Sequence, residues 1–519
     1  MKKLAVAFMA VAMMSTTVGC TDSFEEVNTD PDNAIDVSVP NENILAYVLY
    51  FTSDVLYDRW FLMDEPMTFC GYAAKMAYID ESRYQYRTGV QDSNWSYIYR
   101  LMNNIIDLQK RAGNVSLNLL NVAKVMEVHI MQIATDRWRD VPYSDAVRMD
   151  EGVLNPTYDT QEEIYPALLA KLKEAADGFV QGGPDKLAGD LLFGGDLTKW
   201  QKYCNSLRLR LAIRISEVAP ELAKTTIEEV LGNPEKYPIM GNDWDTDDKR
   251  NNDNAFFWWQ GSDINFYEPI ADAYRTRKTE FSCSDVMVDY LLANKDPRIS
   301  IYCNPTPSSQ NPDDKDDPES GYETDYTDGT PVYRGYTIGA KSNAISKKYS
   351  VWGHRYGIDL GGFSPWMRVA EVYFHIAEAK MLGYNVGSYA ATAEQAYNKA
   401  VILSMKENGV ADADAAAYLA GAGKFDGTLK KIWYEEWVAM FKQGMEGWSL
   451  HRRTGVPENM YIAPGRPAQY ANHNVPPLRS PYPSTERNLN TENNAKFDAD
   501  VVDNLWGKPM WWDKREGVY

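Results

Sequence analysis

Cysteine and histidine are scarce in this chain, and their scarcity excludes several kinds of protein. Only five cysteines occur in 519 residues. After Cys20 they stand at Cys70, Cys204, Cys283 and Cys303, with no Cys-x-x-Cys pair. That scatter excludes a disulfide scaffold or a zinc ribbon, although Cys283 and Cys303 could be bridged. Five histidines, at 129, 354, 375, 451 and 473, never fall at metal-ligand spacing. Positive charge is also in deficit: 53 Lys and Arg face 73 Asp and Glu, a formal charge of −20. Nucleic acid is therefore a poor partner. Catalytic signatures are missing as well. Gly362-Phe363-Ser364-Pro365-Trp366 lacks the closing glycine of a nucleophile elbow. Gly421, Gly423 and Gly427 have the wrong spacing for a dinucleotide loop. Asp243, Asp245 and Asp247 start like a calcium loop, but Asp248 replaces its glycine and Asn254 its bidentate glutamate. No cofactor, metal or catalytic residue is expected.

Long apolar runs are absent too. Leu4 to Met14 has 11 residues, where a spanning helix needs about 20. With Lys2 and Lys3 before it, the run reads as a secretory signal peptide over residues 1–19. Thr17-Val18-Gly19-Cys20 resembles a bacterial lipobox, which makes Cys20 the expected lipidation site. Acyl chains there would anchor the chain, each buried CH₂ contributing about 0.8 kcal/mol. Asp22, Glu25 and Glu26 resemble the acidic surface-export signal of Bacteroidetes-type lipoproteins.

Helical periodicity is plentiful. Ile98, Leu101, Met102, Ile105 and Ile106 recur at helical spacing, and Thr160 with Glu163 forms a capping box. Leu207 to Leu211 alternates like a strand, but continuation to Ile215 favours a helix. Helices are expected in pairs: about 93–112 with 116–137, 160–179 with 196–218, 366–383 with 389–408, and 426–443 with 446–453. Ala377-Glu378-Ala379, Tyr397 and Ala400 echo the small-residue packing positions of tetratricopeptide repeats. A generic helical bundle fits the pattern equally well. Residues 232–365 instead mix Asn, Asp, Gly and Pro with aromatic clusters, and only 282–293 reads as helix. A loop-rich stretch of that length is usually functional.

Aromatics are 13% of the chain, with 15 Trp and 34 Tyr. In an acidic exported protein they suit neutral polar ligands such as sugars. A ring covers the C–H face of a sugar while Asn, Asp and Arg bond its hydroxyl edge. Three sets are the candidate ligand-binding residues: Tyr72, Tyr78, Tyr84 and Arg87; Trp258, Trp259 and Tyr267; and Trp352 and Tyr356.

Ordered motifs along the chain carry a family resemblance. They include Asn28-Thr29-Asp30-Pro31, Trp95 with Tyr99, and Asp136 with Asp140-Val141-Pro142-Tyr143. Lys199-Trp200, Asn205-Ser206-Leu207-Arg208-Leu209-Arg210, Asp296-Pro297-Arg298, and Glu371 with Glu378 follow. Arg452-Arg453-Thr454-Gly455, Arg479-x-Pro481-Tyr482 and Trp511-Trp512-Asp513 close the series. The chain resembles SusD/RagB-like nutrient-binding outer-membrane lipoproteins. Arg139 replaces a family glycine. The resemblance implies a mainly α fold over residues 20–519, a right-handed superhelix of four tetratricopeptide-like pairs with the loop-rich region carrying the ligand site. It also implies a SusC-like TonB-dependent transporter that the protein covers as a hinged lid, with oligosaccharide as the ligand. A peptide ligand, as in the RagB branch, is the alternative, and a surface glycoside hydrolase a more distant one. The motifs themselves read as structural rather than as binding residues.

Overall fold

The computed structural model describes residues 39–517 apart from 114, 183–186, 243–245, 263–265, 278–279, 312–326, 328 and 500–504. Cys20, Asp243 and Asp245 lie outside the described residues.

Helices dominate. In chain order the main ones are α1 (Asn41–Val55), α2 (Thr88–Ala112), α3 (Leu117–Trp138), α4 (Gln161–Gly178), α5 (Leu197–Arg214) and α6 (Pro220–Gly232). After the insertion come α7 (Val369–Met381), α8 (Ala393–Glu407), α9 (Leu429–Ala439) and α10 (Gly444–Thr454). The pairs α2–α3, α4–α5, α7–α8 and α9–α10 match the expected ones to within a few residues and form the tetratricopeptide-like superhelix. Local chemistry sets their ends. Thr160 and Glu163 make the reciprocal capping box that opens α4. The Asp196 carboxylate accepts from the backbone N–H of Thr198 (2.9 Å) and Lys199 (3.1 Å) to open α5. On α2, Ile98, Leu101, Met102 and Ile105 are buried, while Ile106 is half-buried at the stripe's edge.

Helix α5 packs on α7, so the stack continues across the insertion. Their joint is ionic. Arg210 donates from Nε to Glu371 Oε1 at 2.6 Å and from Nη2 to Glu371 Oε2 at 2.9 Å. Arg214 binds both Asp136 of α3 and Glu446 of α10, and Gln132 Nε2 donates to Glu446 at 2.7 Å. Burial alone would raise the Glu446 carboxyl, but Arg210 and Arg214 outweigh it and hold it at about 2. Asp136 also accepts from Tyr165 Oη (2.6 Å) and Trp512 Nε1 (3.2 Å). Arg453 grips Glu378, and Arg298 bridges Asp296 and Glu435. Asp136, Arg210, Arg298, Glu371, Glu378 and Arg453 of the ordered motifs are thus partners in buried ion pairs between the helices.

The stretch 232–365 has more regular structure than its composition suggests. Besides the expected helix, found at Asp285–Ala293, it contains Pro269–Thr276, which Glu268 caps through the Ala271 N–H at 2.7 Å. It also supplies strands to two short antiparallel ladders. β1 (Ala73–Lys75) pairs with β3 (Phe281–Cys283), and β2 (Ala255–Trp258) pairs with β4 (Phe363–Met367). Cys283 and Cys303 are buried free thiols.

Candidate ligand-binding site

Strand β2 positions the site. Successive residues of a strand point to opposite faces, and Trp258 and Trp259 do so at its end. The backbone N–H of Trp259 still donates to Gly362 O at 2.9 Å, which keeps the pair extended. Trp258 follows Phe256 and packs on Phe363 at 5.3 Å, leaving 55% of its surface exposed. Trp259 follows Phe257, packs on Phe266 at 4.8 Å and donates from Nε1 to Ser364 Oγ at 3.0 Å. One cleft opens on each side.

The cleft on the Trp259 side encloses about 390 Å³. Tyr50, Trp60, Trp259, Phe266 and Tyr267 form its aromatic lining, and Asp54, Asp58, Asp272, Arg59 and Arg277 its polar part. Tyr50 stacks on Phe266 at 5.3 Å and meets Trp259 edge-on at 5.8 Å. Tyr50, Trp60, Phe266 and Tyr267 are all half-buried. Arg59 lies over the Trp60 ring at 4.4 Å and Arg275 over the Tyr267 ring at 5.1 Å. Tyr50 and Asp54 are one turn apart on α1, and Asp58 follows one turn later. Burial raises the Asp54 carboxyl, an effect the Tyr50 hydroxyl partly offsets. Burial pushes Asp58 up to about 7, against the hydrogen bond it accepts from the Phe61 N–H at 2.7 Å. Neither carboxylate has a Lys or Arg partner among the described residues, whereas Arg59 is engaged by Asp64 and Glu280 at 3.2 Å each. The cleft thus combines half-buried rings with two carboxylates that have no ion-pair partner among the described residues.

The other cleft, about 820 Å³, is walled by the start of α5, the turn 251–254, the end of α8, Arg355 and Trp258.

Of the residues singled out in the sequence, Trp259 and Tyr267 line the smaller cleft and Trp258 the larger one. Arg87 pairs with Glu81 and lies over the Trp60 ring at 5.8 Å, behind the smaller cleft. Tyr78 is 67% exposed at a positive φ of 49° and lines neither cleft. The remaining four are packed in the core, where no ring face is open to a ligand. Tyr72 stacks on Trp437 at 5.6 Å and donates to its carbonyl at 2.6 Å. Tyr84 packs on Trp506 at 5.3 Å and accepts from the Ala463 N–H at 2.8 Å. Trp352 donates to Ser282 O at 3.2 Å, and Tyr356 to Asn408 Oδ1 at 2.6 Å. Each buried polar tip has found an internal partner, as a buried Tyr or Trp requires. The sequence reading missed Tyr50, Asp54, Asp58 and Trp60. The signal for Tyr50 and Asp54 was their four-residue spacing on α1, a helix the reading did not mark; Asp58 and Trp60 lie beyond its end.

A family model described as starch-binding and associating with the outer membrane matches residues 33–483. The chain belongs to the SusD-like family. Solved relatives share its fold. A chitin-binding protein is 24% identical with a TM-score of 0.76, and the match covers 92% of this chain and 100% of that one. A chitin-binding SusD homologue from Flavobacterium johnsoniae is 22% identical at a TM-score of 0.74, with the same coverage. A SusD-like protein from Bacteroides thetaiotaomicron is 21% identical, also at 0.74 and with the same coverage. No curated protein matches the sequence. SusD-like proteins bind their ligands and do not act as enzymes on them, and the family is a carbohydrate-binding one associated with the outer membrane. Among the described residues, no helix is long and apolar enough to cross a membrane.

Proposed function

We propose that this SusD-like protein is a cell-surface lipoprotein, anchored through Cys20, that captures oligosaccharide in the Trp259-side cleft and passes it to a SusC-like TonB-dependent transporter without cleaving it. The observation that carries this reading is the convergence of four half-buried rings with Asp54 and Asp58, carboxylates without an ion-pair partner among the described residues, on a helical frame. Rings of this kind bury the C–H face of a pyranose, while the carboxylates accept from its hydroxyls. Hydrogen bonds that replace bonds to water contribute only about 0.5–1.5 kcal/mol each. Affinity is accordingly expected at roughly micromolar to millimolar Kd, weak enough for release to a transporter.

The starch description of the family and the chitin-binding relatives nominate two probes, malto-oligosaccharides and chito-oligosaccharides. Isothermal titration with both, and with short peptides as contrast, tests the reading. Saturable heat from a saccharide without release of reducing ends is the expected result. Binding of peptides alone moves the assignment to peptide capture, and release of reducing ends makes the protein a hydrolase.

A further inference from the structure

We infer that the larger cleft, on the Trp258 side of β2, is a second saccharide site that takes a neutral sugar through that sugar's own hydrogen-bond donors. The inference rests on the carbohydrate reading for its ligand class, but not on occupation of the first cleft. Three wall residues each have one side-chain polar atom in use and one buried oxygen with no protein partner. Asp253 Oδ2 accepts from Lys202 Nζ at 2.9 Å and from the Gly241 N–H at 2.8 Å, while Oδ1 is unpaired. Glu407 Oε1 accepts from Arg368 Nε at 3.1 Å, while Oε2 is unpaired. Asn251 donates from Nδ2 to Leu403 O at 3.0 Å, while Oδ1 is unpaired. Asp253 is 1% exposed, and the Glu407 side chain 3%. Buried acceptors left in this state are costly. Three of them around one cleft call for a ligand rich in O–H or N–H groups.

The charged groups of the wall are largely engaged within the protein. Lys202 is committed to Asp253, and Arg355 lies 3.6 Å from Glu407. Lys406 pairs with Asp412 at 2.8 Å, and Lys199 donates to Asn252 O at 2.8 Å. Asp196 is occupied as the cap of α5, so the wall offers hydrogen-bonding groups of both kinds rather than charge of one sign. A neutral sugar fits, with the exposed Trp258 ring as its apolar platform. The volume of about 820 Å³ holds a short oligosaccharide. Because Trp258 ends β2 and Trp259 follows it directly, the two sites stand back to back and could hold two segments of one polysaccharide, raising its avidity.

The test is the stoichiometry of titration of the purified protein with chitotriose and with maltotriose. The wild type is expected to bind one of these trisaccharides at two sites, and Trp258→Ala, which removes only an exposed ring, at one. Glu407→Gln, which keeps the shape and replaces one acceptor by a donor, is expected to weaken the second site about tenfold. A single site that is lost in Tyr267→Ala and kept in Trp258→Ala overturns the second site and leaves the first standing. A single site lost in Trp258→Ala and kept in Tyr267→Ala supports the second site and overturns the first. Absence of binding by both sugars overturns both.

Discussion

At the residue scale, burial separates binding rings from core rings. Tyr72 and Trp258 are equally aromatic and sit in equally irregular sequence, yet one is sealed under Trp437 and the other is 55% exposed. Tyr72→Ala is expected to destabilise the protein by about 3–5 kcal/mol, and Trp258→Ala by no more than about 0.5 kcal/mol; urea denaturation of the two variants checks the contrast. Asp58 gives a second prediction. With its folded pKa near 7, the native state keeps a proton that the unfolded chain has released between about pH 4 and pH 7. Its contribution therefore favours folding at low pH and is lost as pH rises through that window, by up to about 1.4 kcal/mol per unit. Asp58→Asn is expected to flatten the denaturation profile over this range and to be the more stable form at pH 8. None of this was legible in the sequence. Alternation says that Trp258 and Trp259 face opposite ways, but not which way is out. The environment of a carboxylate is set by residues far along the chain.

At the scale of elements, the repeat helices were legible because their apolar residues return every 3.6 positions, and a misplaced boundary does not change the buried stripe. Helices α1 and α6 escaped, and the loss of α1 hid Tyr50 and Asp54 of the aromatic cleft. Three of the motif residues read as structural are now placed: Asp136, Arg210 and Glu371 tie α3, α5, α7 and α10 together with Arg214 and Glu446, which no motif marked. Removing one partner from such a network leaves an uncompensated buried charge. Glu446→Gln is expected to destabilise by about 3–5 kcal/mol, read by chemical denaturation at pH 7. The wild-type contribution of Glu446, whose carboxyl is lowered from 4.5 to about 2, should be full above about pH 4.5 and be lost progressively as pH falls to about 2.

At the scale of the whole molecule, helical scaffold and binding surface divide the work. The helices supply rigidity through buried ion pairs, and β2, the end of α1 and the segment around Pro269–Thr276 carry the rings. Surface anchoring belongs to the proposed function, and Cys20→Ser is expected to move the protein from the membrane fraction to the soluble one in a fractionated cell. The central claim concerns the Trp259-side cleft, and a crystal structure of the protein soaked with the tighter-binding trisaccharide tests it most directly. The account predicts a sugar ring stacked on Tyr267 or Trp60 with hydroxyls at hydrogen-bond distance, about 2.5–3.0 Å, from Asp54 or Asp58. A saturating ligand found elsewhere on the protein, with this cleft empty, would contradict it.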